Sequence, residues 1–309
     1  MNADSYMRDA GHALTLMGAL ALLAGCATSG SVESRFDRFD AFLRQESRAA
    51  VSAESVAREF DRRFQTLLAD ASLSQRSARE LDLLYRASEW LAHFDRARGL
   101  AMMKRVLGAL ERDGSASDRH YHRLLEHLVA QRQFDEAAAV YERAASPRLA
   151  PPPTLVDTVT LETQLPTALR IADDGRRLHR YAVDIAGPRI VVAWHPDCHF
   201  SRRAYHDIVA HPLLSPLFAR YGLLLAPVEA AYETVSLREW NRDHSSATVS
   251  VAYSKAEWSN LDLSSLPTFH FMQDGEVIAT VSGWPREGRV AEFLAAAQAA
   301  GMLEPGAQP

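Results

Sequence analysis

The sequence predicts a multidomain chain in which an N-terminal all-α region, built as helical hairpins or a bundle, precedes a C-terminal α/β sheet domain. Three observations carry this. Residues 36–146 contain no proline and are dominated by Leu, Ala, Arg and Glu, all good helix formers. A stiff break follows at Leu149–Pro153, which ends in three prolines and cannot continue a helix. Beyond it, short apolar runs alternate with helical patches and glycine turns, the pattern of strands wound between helices.

The length, 309 residues, is enough for two cores. Apolar residues make up 47% and the formal net charge is -5. Arg residues are numerous but interleaved with Asp and Glu. A nucleic-acid footprint needs clustered cations, so no nucleic-acid partner is expected.

The chain opens differently. Ala13–Ala24 is an uncharged apolar run of twelve residues. As a helix it rises about 18 Å, too little for a bilayer core of about 30 Å. It matches the apolar segment of a secretory signal, although Asp4 and Asp9 accompany Arg8 in the stretch before it. Leu23-Ala24-Gly25-Cys26, followed by small polar residues, resembles the lipobox of bacterial lipoproteins. The resemblance implies a signal peptide over 1–25, lipid on Cys26, a lipidated tether over 26–34, and a membrane partner through that lipid. The absence of Asp after Cys26 implies a cell-envelope protein on the outer membrane, facing the periplasm. The chain has two cysteines, so Cys198 is then the one free thiol, in a compartment that oxidises thiols.

The helical domain is expected over 35–147. Apolar residues recur at helical spacing, as in Phe36, Phe39 and Leu43, or Leu81, Leu84 and Leu91, giving about six helices at 33–47, 52–70, 75–94, 97–112, 117–130 and 134–145. Ser52 with Ser55, and Ser117 or Asp118, are start signals, and Asp113-Gly114 is a stop. The last pair, joined by a turn at Gln131–Gln133, resembles a tetratricopeptide hairpin, with small Ala residues at the crossing and Tyr141. Both a helical-repeat layer and a plain bundle fit. A linker and lead-in follow over 148–174. Strands are expected at Leu178–Ile185, Ile190–Trp194, Leu223–Val228, Ala247–Tyr253, Thr268–Phe271 and Val277–Val281. Helices are expected at Ser201–Ala210, Leu237–Arg242 and Arg289–Ala300, placed on both sheet faces. A flexible tail closes the chain at 303–309.

Chemistry gathers at Cys198. The buried-strand run Ile190–Trp194 is broken by His195-Pro196-Asp197, and the thiol stands where a helix begins. There it faces unpaired backbone N–H groups and the positive end of the helix dipole, which favour thiolate over thiol. Ser201 is expected to donate a hydrogen bond to the sulfur. His199 adds positive charge when protonated, and Asp197 opposes it.

The stretch I-V-V-A-W-H-P-D-C-H-F-S resembles the active-site strand, loop and helix start of thioredoxin-like proteins, with Trp194 four residues before the cysteine. L-P-T-F-H-F-M-Q-D-G-E-V-I-A-T-V-S-G-W resembles the second signature of that family, and the likeness spans residues 175–302. It implies a thioredoxin-like domain with Cys198, Ser201, Trp194 and a cis Pro267 in the catalytic site. It also implies a partner surface from His195, His199, Phe200, Leu266, Gly283 and Trp284, with Gly283 allowing close approach. The partner is a protein, or its disulfide or thiol. Ser201 stands where the second family cysteine belongs, so a mixed disulfide lacks an internal resolving thiol. Val192 replaces the buried Asp of thioredoxin proper. About twenty extra residues lie between Val228 and Pro267, and their Trp240, His244 and Trp258 are expected to shape a partner surface.

No cofactor and no metal are expected. His195, Cys198 and His199 lack a recognised ligand spacing, and His120, His122 and His127 fit the surface or boundary of helices. A peroxide-reducing site resembling that of peroxiredoxins would need Thr or Ser where His195 stands. The alternative to redox work is a binding or assembly adaptor, since a fold does not establish a function.

Overall fold

The computed structural model describes residues 30–46, 52–160 and 164–303. The expected signal segment, Cys26 and residues 304–309 of the tail lie outside them.

The N-terminal region is all α: α1 (Val32–Glu46), α2 (Ala53–Phe64), a 3₁₀ turn (Gln65–Leu67), α3 (Asp70–Leu73), α4 (Ala78–Phe94), α5 (Arg96–Asp113), α6 (Asp118–Ala130) and α7 (Phe134–Ala144). Caps set several boundaries. Ser52 Oγ accepts from Ser55 N–H at 3.1 Å, Ser77 and Glu80 form a capping box, and Gly114 ends α5 at φ 73°. The helix expected over 52–70 is corrected: it breaks after Phe64, and the tighter turn brings both Leu67 and Leu68 into the core. Phe39, Phe60 and Phe64 pack with centroids 5.2–6.0 Å apart. Such contacts add about 0.5–1.5 kcal/mol per pair beyond area burial.

The C-terminal domain holds, in chain order, β1 (Thr154–Asp157), β2 (Thr167–Ile171), β3 (Arg177–Ala182), β4 (Pro188–Ala193), α8 (His199–Ala210), α9 (Leu214–Tyr221), β5 (Gly222–Ala226), a 3₁₀ turn (Val228–Ala231), α10 (Val235–Asp243), β6 (Val249–Ala252), β7 (Thr268–Gln273), β8 (Glu276–Ser282) and α11 (Val290–Ala299). Among the described residues the strands form one sheet, ordered β1-β3-β2-β6-β5-β4-β7-β8. The middle strands β4, β5 and β6 are parallel, and β7 runs antiparallel to β4. Strands β1 and β2 lie inside the segment expected to be linker. They are strands because β3 and β6 pair with them, so the sheet begins at Thr154.

Alternation along the strands splits the core. Ile190, Val192, Leu224, Val249, Phe269 and Phe271 join one apolar cluster with Ile208, Phe218, Leu237 and Phe293 of the helices, continuous with the helical region. Val191, Ala193, Leu225, Ala252 and Met272 face the other way. Helices were expected on both faces. On this second face the apolar cover comes from Trp258, Leu261 and Leu263 of an irregular segment, anchored where Trp258 Nε1–H donates to the Thr167 carbonyl at 2.9 Å.

Arg132 joins the two regions. It occupies the α6–α7 turn at φ 61°, and its guanidinium donates to the carbonyls of Tyr253, Ala252, Val129 and Val228 at 2.5–3.3 Å. Burial pushes its pKa down to about 10, so it keeps its charge at neutral pH. His122 Nε2 meets Glu233 at 2.9 Å across the same junction, and Arg96 pairs with Glu229.

Candidate functional site

Strand β4 is apolar on both faces, which suits a central position. It delivers Trp194 and the turn His195–Asp197 to the start of α8. Pro196, buried in this turn, has no N–H to continue the ladder. Cys198 is the N-cap residue of α8 at φ -82°, ψ 113°, half-buried and the one free cysteine among the described residues.

Its sulfur is turned across the sheet end. The Cys198 thiol donates to the Leu266 carbonyl with a sulfur–oxygen distance of 3.7 Å, and Leu266–Pro267 is a cis peptide. The thiol and this cis peptide are thus brought together although Cys198 and Leu266 are 68 residues apart. The expected support from the helix differs. The sulfur receives no capping hydrogen bond from the first turn, and Ser201 Oγ, fully buried, has no partner among the described residues. The expected Ser201–sulfur bond is therefore corrected: the thiol donates to the Leu266 carbonyl, and Ser201 Oγ does not bond it.

Trp194 is buried, and its indole N–H donates to the Ser201 carbonyl at 3.0 Å, tying the strand end to the first turn of α8. His195 is half-buried and its Nδ1 accepts from Asp197 N–H at 3.2 Å. Burial pushes its pKa below the ordinary value, with the Asp197 carboxylate pulling the other way, so it brings no charge to the thiol at neutral pH. The Ser236 hydroxyl donates to Asp197 at 2.9 Å, fastening α10 to the same turn. His199 and Phe200 are exposed, their rings 3.8 Å apart. Phe200 shows 43% of its surface to solvent, apolar area available to a partner.

Three expected partner residues are placed otherwise. Trp284 is buried, with its N–H on Asp207 Oδ2 at 2.8 Å. It closes the core instead of facing a partner. Trp240 and Trp258 are also buried. Trp240 stacks on His244 at 3.5 Å and packs 4.4 Å from Trp194, so the inserted segment supports the site from within. A Cβ at Gly283 would meet nothing within 4 Å; glycine is required there by φ 76°, which lets its N–H donate to the Pro267 carbonyl at 2.8 Å. His120, expected at a surface or boundary, is buried and bonded to Ser117 N–H and Asp82. Asp207 was missed because a lone acidic residue on α8 gives no signal until Trp284 folds over it.

A groove of about 720 Å³ runs from the Cys198 turn at His195 and Asp197 to α6, lined also by Glu126, Glu229, Tyr232 and Glu233. Both domains build it.

No family model matches the chain, and no curated protein does. Among solved structures, a thioredoxin-like protein from Bacteroides caccae ATCC 43185 is similar over 73% of this chain and 79% of its own, at 12% identity and a TM-score of 0.28. A superposition at that score carries no weight, and the α-then-α/β architecture stands on the topology above.

Proposed function

We propose that Cys198 performs thiol–disulfide exchange with a specific protein partner, in a thioredoxin-like domain held at the outer membrane, facing the periplasm, by lipid on Cys26. The observation that carries this reading is the half-buried Cys198, its sulfur beside the Leu266 carbonyl and cis Pro267. A partner segment lying extended along the Leu266 main chain presents a cystine sulfur to Cys198. His199 and Phe200 offer contact area next to it.

The deprotonated sulfur attacks one sulfur of the partner disulfide. The partner's S–S bond breaks, a new bond joins Cys198 to the attacked sulfur, and the other partner sulfur leaves as thiolate. Ser201 has no sulfur with which to resolve this species. Release needs an external thiol, which attacks the mixed disulfide, takes the partner into a new disulfide and returns Cys198 to its reduced form. Without such a thiol the partner stays captured.

The test is alkylation of Cys198 against pH, followed by trapping in cells. Rapid labelling at neutral pH and thiol-sensitive adducts that vanish in Cys198→Ala support exchange. Slow labelling like that of a free cysteine, with no adduct, refutes it. Palmitate incorporation that is lost in Cys26→Ala tests the anchor separately.

A second reading, a non-catalytic adaptor, is favoured by the bond the thiol donates to Leu266, which only the protonated sulfur makes, and by the lack of a capping bond. It expects Cys198→Ala to keep function while substitutions along the interdomain groove abolish it.

A further inference from the structure

Away from the thiol, α4 and α6 bring three ligand-type side chains together. Glu89 and His93 stand one turn apart on α4, and His127 faces them from α6. One donor atom of each lies within 4.8 Å of those of the other two. The imidazoles approach edge to face, centroids 5.2 Å apart. None of their ring nitrogens has a hydrogen-bond partner among the described residues, and none is a buried unpaired atom. These nitrogens are open to a ligand arriving from solvent, His93 being exposed and His127 half-buried.

The surrounding charges favour a cation on one side only. Glu229 faces both histidines, and Glu126 faces His93, while Arg96 and Arg123 oppose. Arg123 is drawn mainly to Glu126, at 2.7 Å, and touches Glu89 at only 3.4 Å, which leaves Glu89 oxygen lone pairs for another ligand. His93 also borders a cavity of about 640 Å³, shared with Glu229, Lys255, Trp258 and Ser264, with room for a coordinated water.

We propose that Glu89, His93 and His127 form a three-ligand site for a divalent transition-metal ion, zinc being the ion that suits two imidazoles and one carboxylate. Tetrahedral zinc with bonds of about 2.0–2.1 Å needs donors about 3.3 Å apart, a closure within reach of side-chain rotation because His93 lies at the surface. The fourth position is left to a water from the cavity. The ion ties α4 to α6 next to the domain junction, and this site is independent of Cys198. The neighbouring cluster of His122, Glu126 and Glu233 is already satisfied by its own pairs, His122–Glu233 at 2.9 Å and Arg123–Glu126 at 2.7 Å, and serves as the control.

The experiment is calorimetric titration of zinc into the full chain, untagged and stripped by chelator, with cobalt(II) as a visible reporter of four-coordination and Trp90, 5.7 Å from His93, as a fluorescent one. One equivalent is expected to bind and to raise Tm. His93→Gln and His127→Gln are each expected to weaken binding by more than the roughly 10–100-fold that loss of an outer partner costs. His122→Gln and Cys198→Ser are expected to leave it unchanged. Metal-free circular dichroism and Tm establish that the variants fold, and surface-lying His93→Gln alone suffices if His127→Gln does not. The proposal is overturned by absence of binding, by binding that persists in His93→Gln, or by binding lost in His122→Gln or Cys198→Ser.

Discussion

Gly283 and His270 show at residue scale how the cis-proline edge is held. Gly283 needs its positive φ to return an N–H to the Pro267 carbonyl, and nothing crowds the place of a Cβ. Gly283→Ala is therefore expected to cost about 1–2 kcal/mol from backbone conformation alone, read as a fall in denaturation midpoint at unchanged m. Gly283→Asn should recover part of it, since Asn tolerates this region better. His270, buried three residues after Pro267, meets the Asp262 carbonyl through Nε2 at 3.0 Å, and burial lowers its pKa. The unfolded chain takes up a proton near pH 6.5 that the folded chain resists. Its contribution is thus whole above about pH 6.5 and fades as pH falls through the unfolded value. Tm of His270→Gln, which keeps an N–H donor without titrating, should drop less between pH 7 and pH 5 than that of the parent.

At the scale of elements, the α4–α5 hairpin depends on one missing side chain. A Cβ at Gly99 would lie 2.2 Å from the Ala92 backbone nitrogen, a clash that no rotamer relieves. Gly99→Ala is expected to force the helices apart at a cost of about 1–3 kcal/mol, measured by urea unfolding. Much of this layer was legible: unbroken 3.6-residue spacing and local caps need no distant partner, so α4 to α7 fall where expected. The same holds for β4, the Cys198 turn and β7–β8, whose apolar runs and Asp274-Gly275 turn are local signals. Elements defined by remote pairing were illegible. Strand β1 is polar at both ends, Thr154 and Asp157, and β2 follows Pro166 in a proline-bearing stretch; β3 and β6 make them strands. Helix α9 carries Pro216 in its first turn, where proline is tolerated, and that residue masks it in sequence. Within the site, Trp194 and Pro267 were implied by the resemblance to thioredoxin-like proteins, and Cys198 by its place at a helix start. The inward turn of Trp284, and the meeting of His93 with His127, follow from packing between segments far apart in the chain.

Across the whole molecule, Arg132 decides whether the two regions act as one body. Four carbonyls from the helical turn, the 3₁₀ turn and the end of β6 share its guanidinium. Lysine offers a point charge in place of a planar fork. Arg132→Lys is expected to lose about 1–3 kcal/mol through unpaired buried carbonyls. Calorimetry should then resolve two unfolding transitions where the parent shows one; a single transition in both would mean that the apolar contacts alone weld the regions. A junction held in this way keeps the helical surface and the thiol in a fixed mutual geometry.

The strand order sets a timetable for a chain that emerges from its N-terminus. Helices α1 to α7 have one another once residue 144 is made, while the α6–α7 turn waits for Val228, Ala252 and Tyr253. The β2–β3 hairpin, complete by residue 182, finds its second flank only in β6, at Val249–Ala252, and the Trp258 segment that seals the second face arrives later still. During synthesis that half-built sheet therefore exposes a bare edge and an uncovered apolar face, the kind of surface that escort proteins shield.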